Sequence, residues 1–342
     1  MQSRTNAEST YCVAIEDIKD AAKRIEGIAH RTPVLTSTSI NQRAKRNLFF
    51  KVEAMQKTGS FKFRGALNAV RSVLSEQPDD EIMFVSHSSG NHAQALALAA
   101  KLSRQKATIA MPNNTPSVKK AAVADFGASI VMVENTNEAR EDKATEIVNE
   151  NGGVFVHPSE DSRVIAGQGT VCLEFLEQMG DIKLDAVIIP VGGGGLAAGN
   201  VMTLRSLQPD VKIILAEPSA LDDAYRSFKE KTLLKHAEDN KLESVADGLK
   251  TTLGPNTWPI IRDKVDSIFT VSEKEILQAT KLIWERLKVM IEPSAGVGVA
   301  VALSEEFAQT YSDALNVGII LCGGNVDVVK IAAKIDQYAI AD

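Results

Sequence analysis

Short apolar runs alternate with longer amphipathic segments along the chain. The runs that we expect to form strands are NLFFKV (47–52), EIMFVS (81–86), KATIAM (106–111), ASIVMV (128–133), DAVIIPV (185–191), VKIILA (211–216) and NVGIILC (316–322). Between them, the segments HAQALALAAKL (92–102) and SEKEILQATKLIWERLK (272–288) have helical spacing, and Ser272 is placed to cap the second. Continuous apolar strands separated by helices predict an α/β fold with parallel sheets covered on both faces.

The strand–helix units between residues 81 and 157 are numerous enough to form an inserted domain. We therefore expect a small domain at 81–157 and a larger, discontinuous domain made of residues 1–80 and 158–342. A cleft between two such domains is a common position for a ligand.

Charge and cysteine usage narrow the class of protein. The formal net charge of -6 over 342 residues gives no basic field, which argues against nucleic acid or an acidic membrane surface as partner. No apolar stretch is long enough to span a bilayer, and the N-terminus lacks the apolar core of a signal peptide. Cys12, Cys172 and Cys322 do not have the spacing of metal ligands. These features predict a cytoplasmic protein in a reducing environment.

A run of four glycines, 192–195, follows the apolar run 185–191 and precedes a segment of small residues. Its backbone N–H groups are not covered by side chains, and the dipole of the following helix adds positive potential, so the loop can hold a phosphate. A flexible turn is one alternative. A dinucleotide-binding loop is another. It is weakened because no acidic residue closes a second strand about 20 residues further on in the right role, but Glu217, which ends the run VKIILAE, keeps it open.

Two further polar loops follow predicted strands. SHSSGNHAQA (86–95) forms a polar turn that enters a helix, where N–H groups and hydroxyls can bind a carboxylate. LCGGNVD (321–327) places Cys322 at the carboxyl end of a strand, where ligands gather in open α/β sheets. In KTGSFKFRGA (57–66), Lys62 stands between two phenylalanines, although most lysines are solvated.

These three loops and GSFKFRGA together resemble the fold-type II pyridoxal-phosphate enzymes, the group of threonine dehydratase, serine dehydratase and serine racemase. The resemblance runs from about Ile15 to about Ala333. The motifs QKTGSFKFRGALNAVRS, HSSGNHAQAL, IAGQGT, PVGGGGL and NTWPIIRD are most similar to those of eukaryotic serine racemases. The resemblance implies a tryptophan synthase β-like fold, with two open twisted parallel-sheet domains and the cofactor in the cleft between them.

The resemblance also implies roles for individual residues. Lys62 would form a Schiff base with pyridoxal 5'-phosphate, because a lysine in a partly desolvated pocket loses its proton more readily. Ser89 would be the catalytic acid–base group on the opposite face of the cofactor, with capping of the next helix as the alternative role. The other implied cofactor-binding residues are Phe61, Asn91, Gly192, Gly193, Gly194, Gly195, Leu196 and Cys322. The implied substrate-binding residues are Ser88, Ser89, Asn91 and His92.

Two positions depart from the racemase pattern. Cys322 stands where serine racemases usually have serine and where some serine dehydratases have cysteine. Ser159 stands where the vertebrate racemases have asparagine. Ser89 favours the racemases, since the related dehydratases commonly have alanine at that position.

A metal and an effector are implied in the same way. The side chains of Glu217 and Asp223 and the carbonyl of Leu221 would bind Mg²⁺ or Ca²⁺, which prefer oxygen ligands. An acidic cluster at a helix start is the alternative. ATP would act as an allosteric activator at the interface of a homodimer. The implied ATP-binding residues are Ser37, Thr38, Ser39, Lys57, Thr58, Ser86, Gln94, Lys288 and Asn325.

The expected function is that of a pyridoxal-phosphate-dependent serine racemase. It would interconvert L- and D-serine and, as a side reaction, eliminate water from serine to give pyruvate and ammonia. The alternatives are an L-serine/L-threonine dehydratase with little racemase activity and an aspartate racemase, so serine, threonine and aspartate are candidate substrates. A nicotinamide dehydrogenase or an inactive nucleotide-binding module would explain the glycine loop without pyridoxal phosphate.

Overall fold

The computed structural model describes residues 11–78, 80–88, 90–115, 117–236 and 243–340. The strands are β1 (Val34–Leu35), β2 (Asn47–Val52), β3 (Met83–His87), β4 (Lys106–Pro112), β5 (Ser129–Val133), β6 (Val154–Phe155), β7 (Ala186–Pro190), β8 (Lys212–Pro218), β9 (Ser267–Val271) and β10 (Asn316–Leu321). The helices are α1 (Ile15–Ile25), α2 (Thr38–Ala44), α3 (Lys62–Glu76), α4 (Asn91–Leu102), α5 (Ser117–Asp125), α6 (Asn137–Asn151), α7 (Ser162–Met179), α8 (Gly195–Leu207), α9 (Asp223–Glu230), α10 (Trp258–Lys264), α11 (Glu273–Leu282), α12 (Pro293–Leu303), α13 (Glu305–Thr310) and α14 (Val328–Ile340).

The strands form two open sheets. The larger has the order β1-β2-β10-β7-β8-β9, and all of its pairs are parallel except β1 with β2. The smaller has the order β5-β4-β3-β6 and is parallel throughout. The prediction of two parallel sheets is therefore confirmed. In both sheets the carboxyl ends of neighbouring parallel strands lie at one edge, where ligands of such folds bind.

Each sheet has its own apolar core. The first lies between the larger sheet and the helices that cover it. The second contains the buried faces of α3 and α4 and the inner side of the smaller sheet, with Phe63, Leu67, Phe84 and Leu96 among its members. Helix α3 thus contributes to the second core while its first residue lies near the end of β10. The domain boundaries at 81 and 157 remain a prediction.

Three strands and one helix end differ from the sequence prediction. Strands β1, β6 and β9 were not predicted. Strands β1 and β6 are only two residues long, and β9 lies at an edge of the larger sheet, so none of them forms a long apolar run. The helix expected at 272–288 is α-helical only as far as Leu282. The residues that follow, Ile283–Leu287, form a π turn. Lys288, with φ of 62°, ends that turn and donates its N–H to the Ile283 carbonyl. Among the described helices, none has the length and apolar character needed to cross a membrane.

Candidate active site

The segment before α3 is hydrogen-bonded to the loop after β10. Phe61 N–H donates to the Cys322 carbonyl at 3.1 Å, and Gly324 N–H donates to the Gly59 carbonyl at 2.9 Å. Two motifs far apart in the sequence therefore lie side by side. Because α3 begins at Lys62, this contact fixes where the lysine side chain starts.

The Lys62 amine lies in a pocket that favours its neutral form. Its Nζ donates to the Pro158 carbonyl at 2.8 Å and lies 5.2 Å from the centre of the Phe61 ring. Loss of hydration lowers the pKa of Lys62 to about 8, although Cys322 and Glu292 act in the opposite direction. A larger fraction of neutral amine, the form that attacks an aldehyde, is therefore available at neutral pH than for a surface lysine.

A buried ion network fixes α3 just behind Lys62. Arg64 is 1% exposed, and its guanidinium donates to both carboxylate oxygens of Glu53 at 2.8 Å. It also donates to Glu174, which in turn binds the buried Lys51 amine. This network could not be predicted from the sequence, since an arginine two residues after the lysine looks like a surface residue.

The glycine loop connects β7 to α8 and contacts the segment that binds Lys62. Gly194 has φ of 81°, a conformation that favours glycine. A methyl group at Gly193 would come within 2.7 Å of Ser159 Oγ, and one at Gly195 within 3.0 Å of Ser159 Cα. Ser159 follows Pro158, so the loop and the lysine lie against the same short segment. The open N–H groups at the start of α8 suit a phosphate, and Leu196 behind them is buried.

The Asn91 side chain joins the two sheets at this edge. As the first residue of α4 it donates to the two carboxylate oxygens of Glu292 at 3.1 and 3.2 Å. Its Oδ1 accepts from Asn325 Nδ2 at 2.9 Å. Glu292 was not predicted from the sequence, where its only signal is a single acid directly before the apolar helix α12.

Two buried acids lie around this amide. Burial, and to a lesser extent the nearby Asp247, raise the pKa of Glu292 to about 7. Burial and Glu292 raise the pKa of Cys322 well above its ordinary value, so the thiol is neutral. A neutral group at Cys322 fits the position implied for it, opposite the pyridine nitrogen of the cofactor.

The histidines on this side of the smaller sheet are also neutral. Burial lowers the pKa of His92 well below its ordinary value, and the same cause lowers that of His87 to about 3 and that of His157 to about 4. Ser88 Oγ accepts from Gly90 N–H at 3.2 Å, as expected for a polar turn entering a helix. The predicted catalytic residue Ser89 lies outside the described residues.

The residues predicted to bind a metal lie at the carboxyl end of β8. Glu217 and Asp223 are each 1% exposed, and Leu221 is buried. Glu217 accepts from the N–H groups of Ala224 and Tyr225 at 3.0 and 2.9 Å. Burial raises the pKa of Glu217 well above its ordinary value and that of Asp223 to about 6. The negative charge of Asp223 adds to the rise in the pKa of Glu217.

The residues predicted to bind ATP occupy several places. Asn325 Nδ2 donates to the Thr58 carbonyl at 2.7 Å, and α4, which carries Gln94, contacts the 57–59 turn that includes Lys57. The hydroxyls of Ser37 and Ser39 are 3.2 Å apart at the start of α2, where Thr38 also lies. The Ser86 hydroxyl donates to the Val156 carbonyl, and Lys288 ends the π turn. Asn325 thus contacts both a predicted ATP-binding residue and the predicted cofactor-binding residue Asn91.

Comparisons with known proteins agree with the resemblance found in the motifs. A family model described as "Pyridoxal-phosphate dependent enzyme" matches residues 25–323. The serine racemase of Rattus norvegicus is 48% identical over 323 residues, which are 94% of this chain and 96% of that protein. The solved structure of serine racemase from Dictyostelium discoideum has a TM-score of 0.86 and 46% identity, over 92% of this chain and 99% of the other. A solved threonine deaminase, from T.th., has a TM-score of 0.85 and 38% identity, over 92% of this chain and 99% of the other.

Proposed function

Since the chain belongs to the family of pyridoxal-phosphate dependent enzymes, we propose that it is a serine racemase with a side activity that eliminates water from serine. The observation that carries this proposal is the similarity to serine racemases over nearly the whole length of both chains. The proposal is also supported by Lys62, whose lowered pKa favours the neutral amine and which lies close to the glycine loop. Pyridoxal phosphate, when bound, withdraws electrons from the α-carbon of an amino acid and so weakens its C–H bond.

The chain supplies the groups that would hold this cofactor. The N–H groups of the glycine loop suit the cofactor phosphate. The Lys62 amine and the glycine loop both lie against the segment Pro158–Ser159, so Lys62 would be near enough to reach the aldehyde of a cofactor held there. Asn91 would bind the ring oxygen, for which its contacts with Glu292 and Asn325 would have to adjust. The Cys322 thiol stays neutral, so it would not stabilise a full positive charge on the ring nitrogen of the cofactor.

Racemisation needs a proton to leave one face of the α-carbon and to return on the other. With a pKa of about 8, Lys62 can accept and return a proton near neutral pH. Ser89 is the proposed group on the opposite face, and the hydroxyl and N–H groups of the turn around Ser88 suit the carboxylate of the substrate. The candidate substrate is therefore a small amino acid, with serine first.

The test compares S89A with S88A on both enantiomers of serine. We expect S89A to lose racemisation and elimination from D-serine by roughly 100-fold or more. Elimination from L-serine should stay within about tenfold of wild type, since Lys62 alone can begin it. S88A should weaken the apparent affinity for both enantiomers together, because it removes a carboxylate contact and no acid–base group.

Chiral chromatography of serine and a pyruvate assay measure the two activities on the same preparations. Racemisation that persists in S89A would contradict the role of Ser89. Wild-type protein that forms only pyruvate from L-serine would favour the dehydratase alternative, and turnover of aspartate but not serine would favour an aspartate racemase.

We also propose a divalent cation at Glu217, Leu221 and Asp223, where an all-oxygen set would suit Mg²⁺ or Ca²⁺. ATP is proposed as an activator, supported by the contacts of Asn325 with Thr58 and Asn91. A homodimer in the cytoplasm is the proposed assembly and location. The reducing environment is supported by the three cysteines, which are all free.

A further inference from the structure

The motif NTWPIIRD, residues 256–263, begins against Glu160, the residue that follows the Pro158–Ser159 segment. Asn256 N–H donates to Glu160 Oε2 at 2.7 Å, and the Thr257 hydroxyl donates to Glu160 Oε1 at 2.8 Å. The side-chain amide of Asn256 also donates to the backbone carbonyl of Glu160 at 2.7 Å. One glutamate therefore binds the start of the motif through both its side chain and its backbone.

The glycine loop contacts both Ser159 and Thr257. A methyl group at Gly193 would come within 2.7 Å of Ser159 Oγ, and one at Gly194 within 2.8 Å of Thr257 Cβ. Thr257 is fully buried, and its Oγ1 lies 3.2 Å from the Gly193 carbonyl oxygen. Glu160 joins these two residues, because it follows Ser159 in the chain and binds Thr257 through its carboxylate.

The Thr257 hydroxyl has one proton and more than one acceptor nearby. Glu160 Oε1 is nearer, at 2.8 Å, and carries negative charge, so it takes the proton in preference to the Gly193 carbonyl at 3.2 Å. The Thr257 oxygen in turn accepts from Gly254 N–H at 3.2 Å. Burial raises the pKa of Glu160, and the hydrogen bonds from Asn256 and Thr257 act in the opposite direction. The Glu160 carboxylate thus orients a hydroxyl that lies against the loop.

The backbone of Glu160 is fixed on the side of Lys62. Its N–H donates to His157 Nδ1 at 2.9 Å, and Ser159 N–H donates to the same nitrogen at 3.1 Å. Between these residues, the Pro158 carbonyl accepts from the Lys62 amine. The same short segment therefore holds the lysine and, through Glu160, the motif that contacts the glycine loop. A cofactor bound to both the lysine and the loop needs a fixed distance between them, and this segment sets that distance.

We propose that Glu160 is a positioning residue that holds the glycine loop, through Thr257, in the conformation that binds the phosphate of pyridoxal phosphate. The inference rests on the proposed phosphate site at the glycine loop. Glu160 acts through its hydrogen bonds and not through its charge, because a carboxylate near the loop would by itself repel an anion. Without Glu160, the Asn256 N–H and the buried Thr257 hydroxyl would lose their acceptor, and the loop would lose its support.

The experiment compares pyridoxal phosphate with pyridoxal, which has the same ring and aldehyde but no phosphate. Their dissociation constants are measured by absorbance with the cofactor-free full-length wild type, E160A and E160Q. We expect E160A to bind pyridoxal phosphate roughly tenfold or more weakly, and pyridoxal within about threefold of wild type. E160Q should bind both ligands nearly as wild type does, since its amide oxygen can accept from Asn256 and its amide N–H can donate to the Thr257 oxygen.

Equal weakening of both ligands in E160A would mean that Glu160 supports the fold as a whole, which would overturn the proposal. Unchanged affinity of E160A for pyridoxal phosphate would overturn it as well. An affinity of E160Q as low as that of E160A would show that the charge of Glu160, and not its hydrogen bonding, is what the loop requires, again against the proposal.

Variants of Thr257 test the same contact from its other end. T257V keeps the shape of the side chain without the hydroxyl, so it should lose affinity for pyridoxal phosphate selectively, and T257S should restore it. D263N, which changes an exposed acid near the end of the same motif, is the matched control and should bind both ligands as wild type does. T257S as weak as T257V would contradict the role of the hydroxyl. Wild type that binds pyridoxal phosphate no more tightly than pyridoxal would overturn the phosphate site itself.

Discussion

The chemistry expected of Lys62 depends on how its amine is hydrated. The ordinary lysine pKa of 10.5 falls to about 8 here, chiefly because burial disfavours the charged form. The fraction of neutral amine therefore rises steeply as the pH approaches 8 and levels off above it. A surface lysine would reach the same fraction only at much higher pH.

We predict that the rate at which cofactor-free protein captures pyridoxal phosphate rises with pH with a midpoint near 8. Stopped-flow absorbance follows the capture, and borohydride reduction with peptide mapping identifies the modified residue. K57A, which removes a lysine five residues earlier, should keep this profile, and K62A should give no adduct in this peptide. A midpoint near that of a free lysine would mean that the amine is hydrated.

At the scale of elements, helix α7 packs backbone to backbone against two neighbours. A methyl group at Gly167 would come within 2.6 Å of Gly65 Cα in α3, and one at Gly199 in α8 within 2.2 Å of the Ile165 carbonyl oxygen in α7. The motif IAGQGT thus serves the close approach of three helices. Helix α3 carries Lys62 and α8 begins at the glycine loop, so α7 sets the position of both.

We predict that Gly167→Ala destabilises the protein by about 1–3 kcal/mol, because the new methyl group forces α3 away from α7. The effect opposes the gain of about 1 kcal/mol that alanine usually brings to a helix interior. Urea unfolding measures the free energy, and cofactor affinity should fall as Lys62 moves. Ser162→Ala, at an exposed position of the same helix, should leave both within error; a stable Gly167→Ala protein would show that the helices separate at little cost.

The sequence predicted the interior strands well because β2, β4, β7, β8 and β10 are buried, continuous apolar runs. It missed β1 and β6, since two residues at a sheet edge carry no periodic signal, and it missed β9, a five-residue strand at the other edge of the larger sheet. The motifs predicted Lys62, the glycine loop and Asn91 through their resemblance to a family. Glu292 and Arg64 were missed because their roles depend on partners distant in sequence, which only the folded chain brings together.

At the scale of the whole molecule, the two sheets meet at the candidate site through few polar contacts. Asn91 at the start of α4 binds Glu292 at the start of α12. Lys119 in α5 binds Asp247 in the 247–249 turn at 3.0 Å, and this partly exposed ion pair contributes about 0–1 kcal/mol. The buried carboxyl of Glu292 therefore has more influence on how the two halves join than the surface pair.

We predict that the cofactor-free protein becomes less stable as the pH rises from about 4.5 to about 7, because the folded state loses the stabilising proton on Glu292. Its pKa is about 7 in the folded chain against an ordinary 4.5, so the folded state holds a proton that the unfolded state has released. The stabilisation is complete below the lower value and is lost as the pH passes the upper one. In E292Q the side chain at position 292 is neutral at every pH, so this variant does not lose stability through the titration of that residue. Its stability relative to wild type should therefore increase by up to about 3 kcal/mol across this range.

Urea unfolding of wild type and E292Q at about pH 5 and about pH 8 gives this difference directly, because titrations common to both proteins cancel. E150Q, which neutralises an exposed acid in α6, is the matched control and should track wild type at both pH values. Asn91 can still donate to the glutamine carbonyl, so the contact between the sheets is kept and only the proton is removed. A difference between E292Q and wild type that does not change with pH would show that Glu292 ionises in the folded protein as it does in the unfolded chain, with water or a cation reaching the carboxylate between the sheets.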